Sequence, residues 1–158
     1  MKVAQINKDN DLLEKGAEFF WKCWGTESNF NFYKDCIVQS VNNSKTLPKF
    51  YVLLDNQEII GSYALLINDI ISRQDLCPWL ACLYIDEQYR NKGLAANLIE
   101  DGIKEALKYG YDTLYLSTNL NGFYERKGWT FIGTGYNVFG GNVKIYSKNL
   151  IADTSSVI

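Results

Sequence analysis

The sequence predicts a mixed α/β (α+β) fold, one sheet with helices on both faces. The first observation is element order: a strand, two helices, three strands, a helix, a strand, a short helix and two strands. The second is an amphipathic segment from Gly93 to Tyr109 joining β-rich runs that end at Ile85 and Ser117. It has the length of a crossover between parallel neighbours. The third is composition: 158 residues, 47% hydrophobic and 22% charged, suit one packed core and argue against a largely disordered chain. Residues 1–151 are expected to form a single domain, with 152–158 a loose C-terminal tail.

Each element has its own signal. Met1 to Ile6 is a short first strand. Asp11 and Glu14 have capping-box spacing, and Leu13, Ala17, Phe20, Trp21 and Trp24 follow at helical intervals. Phe30, Tyr33, Ile37 and Val41 repeat the period until Asn42, Asn43 and Ser44 end it before Pro48. Phe50–Leu54 and Ile59–Ile67 flank Asp55-Asn56-Gln57-Glu58 as a hairpin, and Trp79–Ile85 is one apolar central strand. In the crossover, Ala95, Leu98, Ile99, Gly102, Ile103 and Ala106 share a face. Asn97, Glu100, Asp101, Lys104 and Lys108 take the polar side, and Gly110 stops the helix. Thr113–Ser117 is a strand, a short helix lies around Gly122–Lys127, and Trp129–Gly133 resumes the sheet. Gly140-Gly141 then turns the chain into a last strand, Val143–Ser147.

Composition removes several function classes. The chain has no histidine, which excludes a Ser-His-Asp triad and any His-ligated metal, and no metal site is expected. Its net charge of −2 gives no electrostatic footprint for nucleic acid. No apolar run is long enough to span a membrane, and the N-terminus lacks a signal-peptide pattern. Cys23, Cys36, Cys77 and Cys82 are irregularly spaced, so reduced core cysteines in a cytoplasmic protein are expected. Phosphate motifs of the GxxxxGK[ST] and GxGxxG kinds are both absent.

The stretch that carries chemistry runs from Ile85 to Ala95: the end of a buried strand, a polar loop with Arg90-x-x-Gly93-x-Ala95, then the amphipathic helix. A helix N-terminus presents unpaired N–H groups and partial positive charge, so an anion is favoured there. Gly93 lets the backbone approach closely, Ala95 is small, and Arg90 and Lys92 add charge suited to a pyrophosphate.

From Trp79 to Gly133 the chain resembles the GNAT superfamily of N-acetyltransferases. The strand with Arg90-x-x-Gly93-x-Ala95 looks like its acetyl-CoA pyrophosphate loop, with Ala where Gly is commoner. Leu114–Ser117 looks like its next strand. Phe123-Tyr124-Glu125-Arg126-Lys127-Gly128-Trp129 looks like its following helix and strand, with Trp for Phe. The resemblance implies a mostly antiparallel central sheet with a splayed parallel strand pair.

It also implies roles. Leu83, Tyr84 and Ile85 would pair with the pantetheine arm like an added strand. The amides of Arg90, Asn91, Lys92, Gly93, Leu94 and Ala95 would hold the pyrophosphate. Asn119 matches a position where some relatives keep a polar group near the cofactor. Tyr124 stands where the family often has a general acid near the sulfur, and an N–H near Ile85 is the candidate oxyanion donor. The base has no obvious residue, because Trp79–Ile85 contains no carboxylate; Glu18, Glu27, Asp86, Glu87 or water remain. Cys82 has no His or nearby Lys to activate it as a nucleophile. Phe19, Phe20, Trp21, Trp24, Phe30, Phe32 and Tyr33 would cover the acceptor side, half or more of them as core.

The expected partners are acetyl-CoA and an amine acceptor, with no nucleic acid and no membrane, and with room for a homodimer. The expected activity is acetyl transfer from acetyl-CoA to a primary amine by direct attack in a ternary complex. Two rivals stay open: a non-catalytic acyl-CoA-binding module on the same fold, and an interaction domain with no cofactor.

Overall fold

The computed structural model describes residues 1–43 and 45–151. Ser44 and the tail expected at 152–158 lie outside the described residues. The strands are β1 (Lys2–Gln5), β2 (Lys49–Asp55), β3 (Glu58–Leu66), β4 (Trp79–Ile85), β5 (Thr113–Thr118), β6 (Thr130–Tyr136) and β7 (Asn142–Asn149). The helices are α1 (Leu13–Trp24), α2 (Phe30–Asn42) and α3 (Leu94–Lys108), with 3-10 turns at Glu87–Tyr89 and Glu125–Lys127. The strands form one seven-stranded sheet in the order β1-β2-β3-β4-β5-β7-β6. β4 and β5 are the parallel pair, while β1–β2, β2–β3, β5–β7 and β6–β7 are antiparallel.

The chain divides into two compact units, Met1–Leu65 with Cys82–Gly102, and Leu66–Ala81 with Ile103 onward. In the first, neighbouring residues of β2 place helices on opposite faces, because successive strand side chains alternate. Phe50 packs edge-on against Phe20 of α1, with ring centroids 5.3 Å apart. Tyr51 instead stacks on Tyr63 of β3, whose hydroxyl donates to Asp101 of α3 at 2.5 Å. Asp101 is therefore a packing partner of the sheet rather than a solvated member of the polar face. Lys49 is buried because its ammonium caps the end of α2, donating to the Ser40 carbonyl at 2.8 Å and to that of Asn43.

The second unit is centred on Ile71, Trp79, Val143 and Ile145, with Leu66, Leu76 and Tyr115 against them. β4 meets β5 at Trp79↔Tyr115. α3 ends as its glycine predicts: Gly110 has φ +90°, its N–H donates to the Leu107 carbonyl, and the Tyr111 N–H donates to that of Ala106. That is the paired bonding of a Schellman terminus.

Some expectations fail at this level. The capping box does not form: Leu12 is the N-cap, in right-handed helical conformation, and no side chain bonds the first N–H groups of α1. The four cysteines are not joined in disulfides, but none is fully buried, and Cys77 is exposed. Of the seven aromatics expected over the acceptor side, Phe20 alone is fully buried, while Trp24 and Phe32 are exposed.

Candidate active site

The site is built from the end of β4 and the turn into α3. At Cys82 the β4 backbone takes φ +54°, an irregularity pinned by Ser62, whose hydroxyl donates to the Cys82 carbonyl at 2.9 Å. A residue in that region twists the strand and re-aims those after it, here Leu83, Tyr84 and Ile85. Gly61 of β3 is required beside them, since a Cβ there would lie 2.8 Å from the Tyr84 carbonyl oxygen.

The polar loop then folds on itself. Asp86 caps the turn Glu87–Tyr89 through the Gln88 N–H at 3.2 Å, and the Tyr89 hydroxyl donates to Asp55 at 3.1 Å. Arg90 bends back, donating from Nε to the Ile85 carbonyl at 2.8 Å with its guanidinium 5.4 Å from the centre of the Tyr84 ring. Its side chain braces the loop against β4. Lys92 is exposed, its ammonium 5.4 Å from the Tyr89 ring.

Asn91 and Gly93 both have left-handed backbones, φ +64° and +76°. Two such residues turn the chain sharply into α3, whose first internal bond runs from the Asn97 N–H to the Gly93 carbonyl at 3.3 Å. Gly93 has no side chain to cap the N–H groups that follow, and a Cβ built on it would meet no protein atom within 4 Å. Its need for glycine is thus conformational, and the space before the helix is clear of protein.

Asn119 and Tyr124 lie in the second unit, after β5. Asn119 is exposed. Tyr124 is buried, 8% exposed, against Phe123, Trp129 and Tyr146. Burial pushes its phenol up to about 12, so it is neutral far above neutral pH. Its carbonyl accepts from the N–H groups of Lys127 and Trp129, both at 3.0 Å, a return made possible by Gly128 at φ +84°.

The candidate bases are occupied or solvated. Glu18 pairs with Lys22 at 2.8 Å on the surface, Asp86 serves as a cap, and Glu27 and Glu87 are exposed. Burial and the nearby Asp86 push the Cys23 thiol up to about 11, which keeps it protonated. Tyr84 is ringed by Phe19 and Trp24, at centroid distances of 5.8 and 6.0 Å, so part of the aromatic set borders β4. Among the described residues, no group of three or more His, Cys, Asp or Glu side chains could hold a metal. No described helix is long and apolar enough to cross a membrane. Sequence reasoning missed Asp55 and Ser62, whose partners are distant in the chain, and the last-strand run Lys144, Tyr146, Lys148, whose alternation was visible.

Comparison with known proteins identifies the fold. An aminoglycoside 6'-N-acetyltransferase solved with coenzyme A superposes with a TM-score of 0.70 at 16% identity, covering 95% of this chain and 97% of its own. The aminoglycoside 6'-N-acetyltransferase from Enterococcus faecium superposes at 0.71, with 16% identity and the same coverages. A GNAT family acetyltransferase from Elizabethkingia anophelis with acetyl-CoA bound superposes at 0.65 and 15% identity, over 94% of this chain and 97% of that one. No curated protein matches the chain in sequence. The family model described as Acetyltransferase (GNAT) family matches residues 11–129, three quarters of the chain, so this protein belongs to the GNAT acetyltransferases.

Proposed function

We propose that this acetyltransferase moves the acetyl group of acetyl-CoA to a primary amine by direct attack in a ternary complex. The observation that carries the reading is the turn into α3, where left-handed Asn91 and Gly93 lead into a helix start that is clear of protein. The Arg90 N–H, expected among the donors, is taken by the Glu87 carbonyl at 3.3 Å as the cap of the turn before it; the main-chain N–H groups from Asn91 to Ala95, at the positive end of the helix dipole, suit a pyrophosphate. Leu83, Tyr84 and Ile85 bind the pantetheine arm by main-chain pairing, and Asn119 adds a polar contact.

Acetyl-CoA supplies an activated thioester. The Ile85 N–H donates to the carbonyl oxygen as negative charge builds on it. A nitrogen–carbon bond forms and the carbon–sulfur bond breaks, and the Tyr124 hydroxyl donates its proton toward the departing sulfur. A phenol held at about 12 is a weaker acid than a thiol of about 8.5, so the phenol must recover its proton. That proton comes by way of water from the acceptor nitrogen, which ends one proton poorer as the sulfur ends one richer. No carboxylate is needed when the acceptor arrives as a neutral amine.

A second reading, a non-catalytic acyl-CoA-binding module, is favoured by one observation: β4 carries no carboxylate, Glu18 and Asp86 have other partners, and Glu27 and Glu87 are exposed to solvent. Thiol release from acetyl-CoA across aminoglycosides, diamines, amino acids and peptide amines decides between them. Amine-dependent release supports transfer; binding of acetyl-CoA with no release for any amine supports the module. The proposal also takes residues 1–151 as one domain in the cytoplasm. It allows a homodimer, which sedimentation would detect.

A further inference from the structure

The last strand carries a row of side chains whose polar ends reach beyond the apolar core, although the Tyr146 ring itself is buried. Lys144, Tyr146 and Lys148 are two residues apart on β7, so they share one face, while Val143 and Ile145 on the other join the cluster with Trp79. Each of the three holds a different point of the segment that bears Tyr124. The Lys144 ammonium bonds the Asn121 side-chain oxygen, and the Tyr146 hydroxyl donates to the Glu125 carboxylate. The Lys148 ammonium donates to the Lys127 carbonyl at 2.9 Å. The Tyr146 ring also lies 6.0 Å from that of Tyr124.

We propose that Lys144, Tyr146 and Lys148 are positioning residues that fix the Tyr124 hydroxyl for its part in the reaction. This rests on the role given to Tyr124 above. Packing alone does not account for the row. Lys148 is only 9% exposed, and a buried cation is costly where an aliphatic side chain would fill the same space. Its bond secures the residue before Gly128, the point where the backbone turns back to the Tyr124 carbonyl. A Cβ on Gly128 would lie 3.0 Å from the Lys148 ammonium, which shows how near that ammonium comes to the turn. The grips at 121, 125 and 127 bracket residue 124 on both sides, which restrains a side chain in a turn too short to hold itself.

The test is steady-state kinetics of K148M, K148R, Y146F, Y124F and the double variant Y124F/K148M, each checked by thermal melting. K148M and Y146F should lower kcat about tenfold with the KM for acetyl-CoA within about twofold, the pattern of a lost transition-state interaction. K148R should recover most of the loss. In the Y124F background K148M should change kcat less than about twofold, because residues acting as a unit are non-additive. Unchanged kcat in both K148M and Y146F, or a full tenfold loss from K148M without Tyr124, overturns the inference while leaving Tyr124 in its role. An unchanged kcat in Y124F overturns both. If K148M melts too low to assay, the isosteric Y146F, alone and combined with Y124F, carries the same decision.

Discussion

The loop from Arg90 to Ala95 and the turn around Tyr124 are built on opposite plans. The loop is exposed from Asn91 to Gly93, its shape comes from two left-handed backbones, and its chemical groups are main-chain amides. The turn holds a buried phenol in an aromatic nest and is gripped by side chains of β7. Binding a diphosphate asks for many weak donors in a fixed curve, which backbone conformation supplies whatever the side chains are. Handling one proton asks for one oxygen in one place, which only packing and tethering supply. Side-chain deletions should therefore be mild in the loop and severe in the turn, with backbone-incompatible substitutions the reverse.

The largest effect is expected in the turn. Y124F should lower kcat about a hundredfold or more while KM for acetyl-CoA stays nearly constant, within the range known for acid–base groups. The same variant sharpens the contrast in alkaline stability. A phenol raised from 10.0 to about 12 by burial binds its proton more tightly in the folded state. Its contribution is complete below pH 10 and is lost as pH rises through 12, a span worth about 3 kcal/mol. Denaturant melts between pH 9 and 12 should show a shallower alkaline decline in Y124F than in the parent chain.

The loop should respond in the opposite sense. G93V forces a β-branched side chain into φ +76° and into the space before α3. At about 1–3 kcal/mol of strain the KM for acetyl-CoA should rise about fivefold to a hundredfold with kcat little changed. K92A, which removes only an exposed ammonium, should raise that KM no more than about fivefold. If K92A proves worse than G93V, the grip is through side chains and the contrast fails. The smallest effect is expected from E18Q, which opens an exposed ion pair: stability should move by less than about 0.5 kcal/mol and kcat should hold. A large drop in kcat would make Glu18 the base.

Much of this was legible in the sequence, for identifiable reasons. β4 was read to the residue because an unbroken apolar run between polar loops has few alternatives, and α3 because its period and Gly110 agree. The shape of the loop was legible because its signal is local: a glycine and a helix start within a few residues. What was missed depends on distant pairs. Asp101 looked solvated on a helical wheel, but Tyr63 of β3 meets it. Asp11 had capping spacing, yet the helix starts after Leu12 with no side-chain cap. Arg90 looked like a phosphate ligand, while its Nε is engaged by the Ile85 carbonyl. Residue type and spacing indicate which groups are present, but side-chain partners are settled by tertiary packing.

What most needs testing is the proposal that the backbone N–H groups from Asn91 to Ala95 receive the coenzyme's diphosphate. Amide proton–nitrogen spectra recorded during titration with coenzyme A test it directly. The largest shifts should fall on the amides of Asn91 to Ala95 and saturate together with binding. Saturable binding that leaves those amides unmoved would contradict it.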